Sequence, residues 1–460
     1  LAAVGVAQAQ TAPSAPAPAT KAEDSSLTWK GITLYGIVDI GIQTDTHSAP
    51  FSDYFPPGSA SLVQKNDYDS PTGIAPSNLS QSRIGLSGNE PIGGDWAAVF
   101  RLETFFNPQS GDISDALKSV ALNNGKALTA QNVGVDSSIA GQLFSGAAYA
   151  GFSSPTYGSF TFGRNVTPLA DGIGKYDPLS ASNAFSLIGF SGTAAGGGDT
   201  EDRRLDQSIK YIAKYDWLHL GALYQFGSSS GSINTAYQFM IGGDYAGFSV
   251  DGFYAKKYDA IGIASLSAAQ VSAIQTGTCT AAATGGCWPI SNSLAATISD
   301  NQTYALMLSY APPGAAVKFS GGYERITFDN PSNPLPAGTV TIGGYILAVT
   351  NNAAFVNQKV LEVYWAGVKW GITPNLDLLA AYYGYNQDAF ATGANAGCGT
   401  KANAGCSGTE TVMSLVLDYR LSKRFDVYAG TMYSGVQDGL ANGYLFTTNI
   451  ATSAGLRFKF

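Results

Sequence analysis

The feature that most constrains this chain is a two-residue alternation framed by aromatic side chains, clearest from Gln302 to Tyr310. One face carries Tyr304, Leu306, Leu308 and Tyr310, and the other carries Thr303, Ala305, Met307 and Ser309. Successive side chains of a strand point to opposite faces, so the segment reads as β. Aliphatic residues flanked by aromatics match a lipid-facing band between two girdles at headgroup level. Leu218, Leu220, Ala222, Tyr224 and Phe226 repeat the pattern opposite His219, Gly221 and Gln225. Phe248, Val250 and Tyr254 repeat it opposite Ser249, Asp251 and Lys257, and Met413, Leu415, Leu417 and Tyr419 repeat it opposite Ser414 and Asp418. The expected fold class is all-β, an antiparallel transmembrane β-barrel with lipid outside and water inside.

Composition agrees with this reading. Charged residues make up 13% of the 460 positions, about half the share of a soluble protein, so something other than charge covers the surface. No stretch of about 20 residues is continuously apolar, which excludes a helical span. A net charge of −8 without a basic stripe argues against a nucleic-acid partner.

Sixteen such segments follow one another, starting near Leu34, Asn78, Trp96, Leu143, Ser159, Leu205, Leu218, Asn234, Gly247, Gln302, Ala316, Gln358, Leu376, Glu410, Phe425 and Thr447. Short connections (89–95, 154–158, 216–217, 245–246, 312–315, 371–375, 421–424) alternate with long ones (45–77, 107–142, 166–204, 259–301, 329–357, 388–409). Periplasmic turns and extracellular loops alternate in this way, and an even strand count brings both termini to the periplasm. Segment boundaries leave fourteen or eighteen strands open. Three parts are expected: residues 1–9 as the remnant of a signal peptide with Ala7-Gln8-Ala9 as its cleavage site, residues 10–30 as a flexible Pro- and Ala-rich leader, and residues 31–460 as a single barrel domain.

Four cysteines form two pairs of identical spacing, Cys279 with Cys287 and Cys398 with Cys406, each in a Gly- and Ala-rich stretch. In an exported chain two local disulfides are expected, each worth about 2 to 3 kcal/mol in the chain-entropy model. The competing reading is a metal site. Thiolate metal sites usually recruit histidines or further cysteines, and His47 and His219 are far away in sequence. No metal or other cofactor is expected.

Several passages resemble the general porins of Gram-negative bacteria, particularly the trimeric type common in beta-proteobacteria: residues 33–41 (TLYGIVDIG), 82–103 (SRIGLSGNEPIGGDWAAVFRLE), 149–168 (YAGFSSPTYGSFTFGRNVTP) and 206–211 (DQSIKY). Phe460, with Phe458 and Leu456 on the same face, looks like the C-terminal signal read by the barrel-assembly machinery. The resemblance implies sixteen strands, a homotrimer in the outer membrane in contact with its lipid and lipopolysaccharide, and a third extracellular loop folded into the lumen. Ions and small hydrophilic solutes are the implied cargo. Residues 166–204 occupy that loop's place, although the Pro-Glu-Phe-Gly-Gly motif of many enteric porins is absent.

In the family, wall arginines face acidic residues of the inserted loop. The wall candidates here are Arg83 and Arg101, with Lys210 in the same lumen phase and Arg203 and Arg204 where the loop rejoins the wall. The loop's acidic candidates are Asp171, Asp177, Asp199, Glu201 and Asp202. Arg164 shares parity with Phe160 and Phe162, which would aim it at lipid unless the strand ends near Gly163 or Arg164 sits at the rim. Asp39, Glu103, Asp251, Lys318, Glu362, Asp418 and Arg457 are read as lumen-facing charges that keep the channel wet.

The alternatives are a substrate-selective porin for anions, sugars or carboxylates, and a plugged or adhesin-like barrel. An enzyme is not expected. Neither histidine has a neighbouring sequence that suggests a nucleophile and its orienting partner, and no phosphate-loop, dinucleotide or zinc-helix motif occurs.

Overall fold

A computed structural model describes residues 27–48, 50–56, 70–122, 139, 141–200, 204–227, 234–265, 294–342, 345–392, 405–442, 444 and 446–460. The signal remnant, the leader up to residue 26, Glu201, Asp202, Arg203, Cys279, Cys287 and Cys398 lie outside these residues. Cys406 is disulfide-bonded.

Sixteen strands among the described residues form the wall. They are β1 (Ile32–Asp45), β2 (Arg83–Gly93), β3 (Trp96–Phe105), β4 (Ala148–Ser154), β5 (Gly158–Val166), β6 (Arg204–Tyr215), β7 (Leu218–Gln225) and β8 (Ala236–Tyr245), followed by β9 (Phe248–Ser265), β10 (Leu294–Tyr310), β11 (Val317–Asp329), β12 (Lys359–Thr373), β13 (Leu376–Gln387), β14 (Gly408–Arg420), β15 (Phe425–Asp438) and β16 (Thr448–Lys459). Each pairs antiparallel with its neighbours, and β16 returns to β1 with Phe458 opposite Val38. Closure leaves no unpaired edge, as lipid requires of strands. No described helix is long and apolar enough to cross a membrane.

The alternation read from sequence sets which face meets lipid. In β10, Tyr304, Leu306 and Leu308 are 51%, 53% and 44% exposed, while Met307 between them is fully buried. Glu362 departs from its expected lumen position. It shares the outer face with Tyr364, accepts a hydrogen bond from the Tyr323 hydroxyl at 2.6 Å, and pairs in register with Arg325. It sits beyond the last lipid-facing tyrosine of β12, where a charge meets headgroups and not hydrocarbon.

Three strand starts differ from the sequence expectation by five residues or more, and one of them is β4, which begins at Ala148 and not near Leu143. Residues 77–82 leave the wall: Thr72–Pro76 pairs with the upper half of β1, β2 pairs with the lower half, and the segment between turns inward. The cause is Asp39, an inward side chain of β1 whose Oδ2 accepts from Leu79 N (3.0 Å) and Ser80 N (2.8 Å). At β10 the strand begins at Leu294, well before Gln302, because β9 and β10 continue past the membrane as an extracellular ribbon. A transmembrane strand needs only about 9 to 11 residues. A short hairpin, Thr341–Ile342 with Tyr345–Asn351, adds a parallel strand to that ribbon.

Among the described residues, three short α-helices lie in the long connections: α1 (Ala116–Ala121) between β3 and β4, and α2 (Pro168–Tyr176) and α3 (Ser191–Ala195) between β5 and β6. α1 rests on the ribbon through Val120, which packs with Ile263, Leu294, Ala296 and Leu347. The connection from β5 to β6 folds into the barrel and is buried along most of its length. Beneath it the inner wall is apolar, with Phe253, Met307, Ile326, Val363, Trp365 and Val412 forming one cluster with Leu169, Ile173, Leu179, Phe185 and Ile188 of the loop. Each such buried side chain contributes about 1.5 to 3 kcal/mol. The lumen is thus divided into an apolar side occupied by the loop and a charged side left open to it.

Candidate functional site

The charged side is built from consecutive wall strands. Inward positions of β1 to β3 supply Tyr35, Arg83, Arg101 and Glu103, and β6 supplies Arg204 and Lys210. Tyr35 can lie across β2 because position 85 is glycine. A Cβ there would come within 2.4 Å of the tyrosine ring. Held in this way, the Tyr35 hydroxyl accepts from Arg101 Nε (2.6 Å) and donates to Glu103 Oε2 (3.1 Å).

Glu103 is the hub. Arg101 Nη2 donates to its Oε2 at 2.6 Å, and Arg83 Nε stands 3.5 Å from the same oxygen. The Arg101 and Arg83 side chains retain 12% and 11% exposure, against 2% for Glu103. The carboxylate therefore orients the guanidinium groups, while their outer edges face the open lumen. Arg204 lies over the Phe105 ring at 4.5 Å.

The loop's contribution comes from α2. Its N-cap Thr167 accepts from Ala170 N at 3.1 Å, and Pro168 occupies the first helical turn, where its missing N–H costs nothing. Asp171 in that turn is favoured by the helix dipole and forms an ion pair with Lys210 across the gap. Burial pushes the Asp171 carboxyl above its ordinary range, and Lys210, Arg101 and Arg204 pull it back.

The other acidic candidates separate from this group. Asp177 is the C-cap of α2 and is 3% exposed. Its oxygens accept from Leu179 N (3.2 Å), Ala181 N (2.6 Å) and the Tyr383 hydroxyl (2.6 Å). It fastens the loop to the wall. Burial raises its pKa and the Tyr383 hydrogen bond opposes the rise. Asp199 is buried beside Ser191, whose hydroxyl lies 3.4 Å from it. Further ties hold the loop in place: Trp365 Nε1 donates to Tyr176 O (3.1 Å), the Tyr385 hydroxyl to Leu187 O (3.1 Å), and the Ser414 hydroxyl to Phe185 O (2.7 Å). From the inward turn, Asn78 O accepts from Ala184 N at 3.0 Å.

Arg164 avoids lipid through a bulge. Gly163, at φ +130°, opens the β5–β6 register between Gly163 and Asn165, and a bulge of this kind re-aims one side chain. Arg164 donates to Gly146 O and Ser145 O, both at 3.0 Å, and pairs with Asp206 at 2.6 Å. His219, read as a satisfied or solvated histidine, has Nδ1 2.8 Å from Asp251 and Nε2 2.9 Å from Asp244.

Sequence reasoning missed Tyr35 and gave Glu103 only a background role. The signal for both was present, since they share the lumen phase with Asp39 and Arg101. The cross-strand contact that joins them has no linear trace.

The family model described as Gram-negative porin matches residues 1–333. An outer membrane porin protein of Bordetella pertussis is 29% identical over 43% of this chain and 43% of its own length. Outer membrane porin protein 32 of Delftia acidovorans is 27% identical over 41% of this chain and 42% of its own. The chain thus spans less than half the length of the curated relatives it matches. Among solved structures, an anion-selective porin from Comamonas acidovorans superposes with a TM-score of 0.58 at 18% identity, covering 93% of this chain and 99% of that one. The trimer form of OmpT of Vibrio cholerae gives 0.54 at 15% identity, covering 93% and 99%.

Proposed function

The chain belongs to the Gram-negative porin family, and from that premise we propose that it is an outer-membrane channel for passive diffusion of ions and small hydrophilic solutes. The observation that carries the reading is the division of the lumen. The inserted loop is seated on an apolar wall, and the opposite wall presents Arg83, Arg101, Arg204 and Lys210 around Glu103 and Asp171. A pore of this kind sorts solutes by size, and fixed charges at its narrow level bias which ions enter. The channel does no bond chemistry. It assembles as a homotrimer, as the OmpT relative does in its trimer form.

A second reading concerns sign. Among the described residues named at the narrow level, cations outnumber carboxylates, four side chains against two, which favours anions over cations. The similarity to an anion-selective porin fold is compatible with this preference. The net charge of −8 does not oppose it, because that sum includes loops and turns outside the pore.

The test is single-channel recording in a planar bilayer under a salt gradient. A conducting, unsaturated channel with an anion-directed reversal potential supports both readings. A silent barrel supports a plugged or adhesin-like one, and saturable block by sugars or dicarboxylates supports a substrate-selective one.

A further inference from the structure

We propose that Lys175, Lys318 and Lys369 form a second, separate anion-binding station, on the periplasmic side of the narrow level, that takes small oxyanions of the phosphate type. The proposal rests on the reading of the barrel as an open channel.

Lys318 is the second residue of β11, and the β-ladder places it directly opposite Lys369 of β12. Both point inward: their chain neighbours Phe319 and Trp370 are 49% and 48% exposed on the lipid side. Both lie next to the short turns. Like charges directly opposite on one sheet face repel, and the inserted loop adds a third. Lys175, in the last turn of α2, offers its backbone carbonyl to Lys318 Nζ at 3.0 Å, which draws the two lysines together.

Protein carboxylates compensate this charge incompletely. Lys175 Nζ lies 2.8 Å from Asp251, a carboxylate that also receives the Tyr176 hydroxyl and His219. Lys369 Nζ lies 3.0 Å from Asp377, which Arg420 also holds, at 2.5 Å. Lys318 has no carboxylate partner among the described residues, and the charges acting on it are Lys175 and Lys369. An ammonium carries three donors; Lys318 and Lys369 each spend one on the contact named, and Lys175 Nζ has His219 Nδ1 at 3.5 Å beside Asp251 at 2.8 Å. Lys175 and Lys369 keep 34% and 26% side-chain exposure, so lumen water and solutes reach them.

An oxyanion resting there would relieve the repulsion and accept the unspent N–H groups. Ammonium groups are compact and strongly hydrated, so the hold is loose. Conduction needs such a balance, with sites favourable enough to enter and weak enough to leave. The station lies nearer the short turns than Arg83 does, on strands across the lumen from it. An anion released from Arg83 and Arg101 would meet a second positive step before it reaches the periplasmic mouth.

The probe is inorganic phosphate, added to each side of single channels carrying chloride current. Saturable reduction of the current, stronger from the periplasmic side, is expected in the native protein. Lys318→Gln should weaken it by about fivefold, the worth of one water-screened unit charge at about 4 Å, while Lys318→Arg should preserve it. Block of equal strength in Lys318→Gln and native channels would overturn the proposal. A barrel that carries no current in any salt would sink the open-channel reading instead. The station is then read by mass spectrometry of Lys318 acetylation in detergent, where phosphate should slow labelling and an unchanged rate overturns the assignment.

Discussion

The Tyr383 hydroxyl donates to Asp177 Oδ1 at 2.6 Å, joining a wall strand to the end of the inserted helix. Both residues are buried, at 0% and 3% exposure, so the carboxylate has no water to replace that donor. Tyr383→Phe should therefore destabilise the loop by about 1 to 3 kcal/mol, the cost of leaving a buried acceptor short of a partner. Removing the hydrogen bond also lets burial raise the Asp177 pKa further, since Tyr383 opposes that rise. Open-channel current noise and hydrogen exchange across residues 168–200 report the loosening. Native noise and native exchange in the variant would show that the contact holds nothing in place.

Arg83→Ala combined with Arg101→Ala is expected to lower anion relative to cation permeability, because Glu103 is then left without the guanidinium groups that surround it. Reversal potentials in a salt gradient measure this. An unchanged value would remove both arginines from the narrow level.

Acidification should shift selectivity further toward anions. Burial raises Asp171 above the ordinary carboxylate range, so on lowering pH it takes up its proton before an exposed aspartate does. The protonated form is neutral and leaves the Lys210 charge uncompensated. Reversal potentials recorded from about pH 7 down to about pH 4 should move in the anion direction, and Asp171→Asn should show the shifted value already at neutral pH. A variant that still tracks the native pH curve would assign the titration to another group.

Val120→Asp is expected to release α1 from the extracellular ribbon without unfolding the barrel. Val120 is fully buried against Ile263, Leu294 and Leu347, and an unpaired charge there costs several kcal/mol. Faster hydrogen exchange in Ala116–Ala121, with an unchanged unfolding temperature, is the expected result. Loss of both together would mean that this cluster supports the whole barrel.

Much of this architecture was legible in the sequence because lipid imposes a period of two on every wall strand. That period alone assigns Arg83, Arg101, Glu103, Lys210 and Asp251 to the lumen. It fails where the strand stops being regular. Arg164 reads as lipid-facing until Gly163 bulges the strand, and residues 78–82 read as wall until Asp39 draws their amides inward. Glu362 reads as a lumen charge because the sequence does not mark the height at which headgroups begin.

The aromatic-framed alternation of β10 was decided by the sequence alone. Tyr304, Leu306 and Leu308 meet lipid because no other solvent suits that face. What Met307 and Ala305 meet on the other face was decided only by the tertiary structure. Their side of the barrel is covered by Leu169, Ile173 and their neighbours, which come from a loop more than a hundred residues earlier in the chain. The same holds for Asp171 and Asp177, six residues apart and alike in sequence character, one facing Lys210 and the other accepting from the Tyr383 hydroxyl. A local pattern records which solvent a side chain prefers, and partners brought from distant segments are fixed only when the barrel closes and the loop is seated within it.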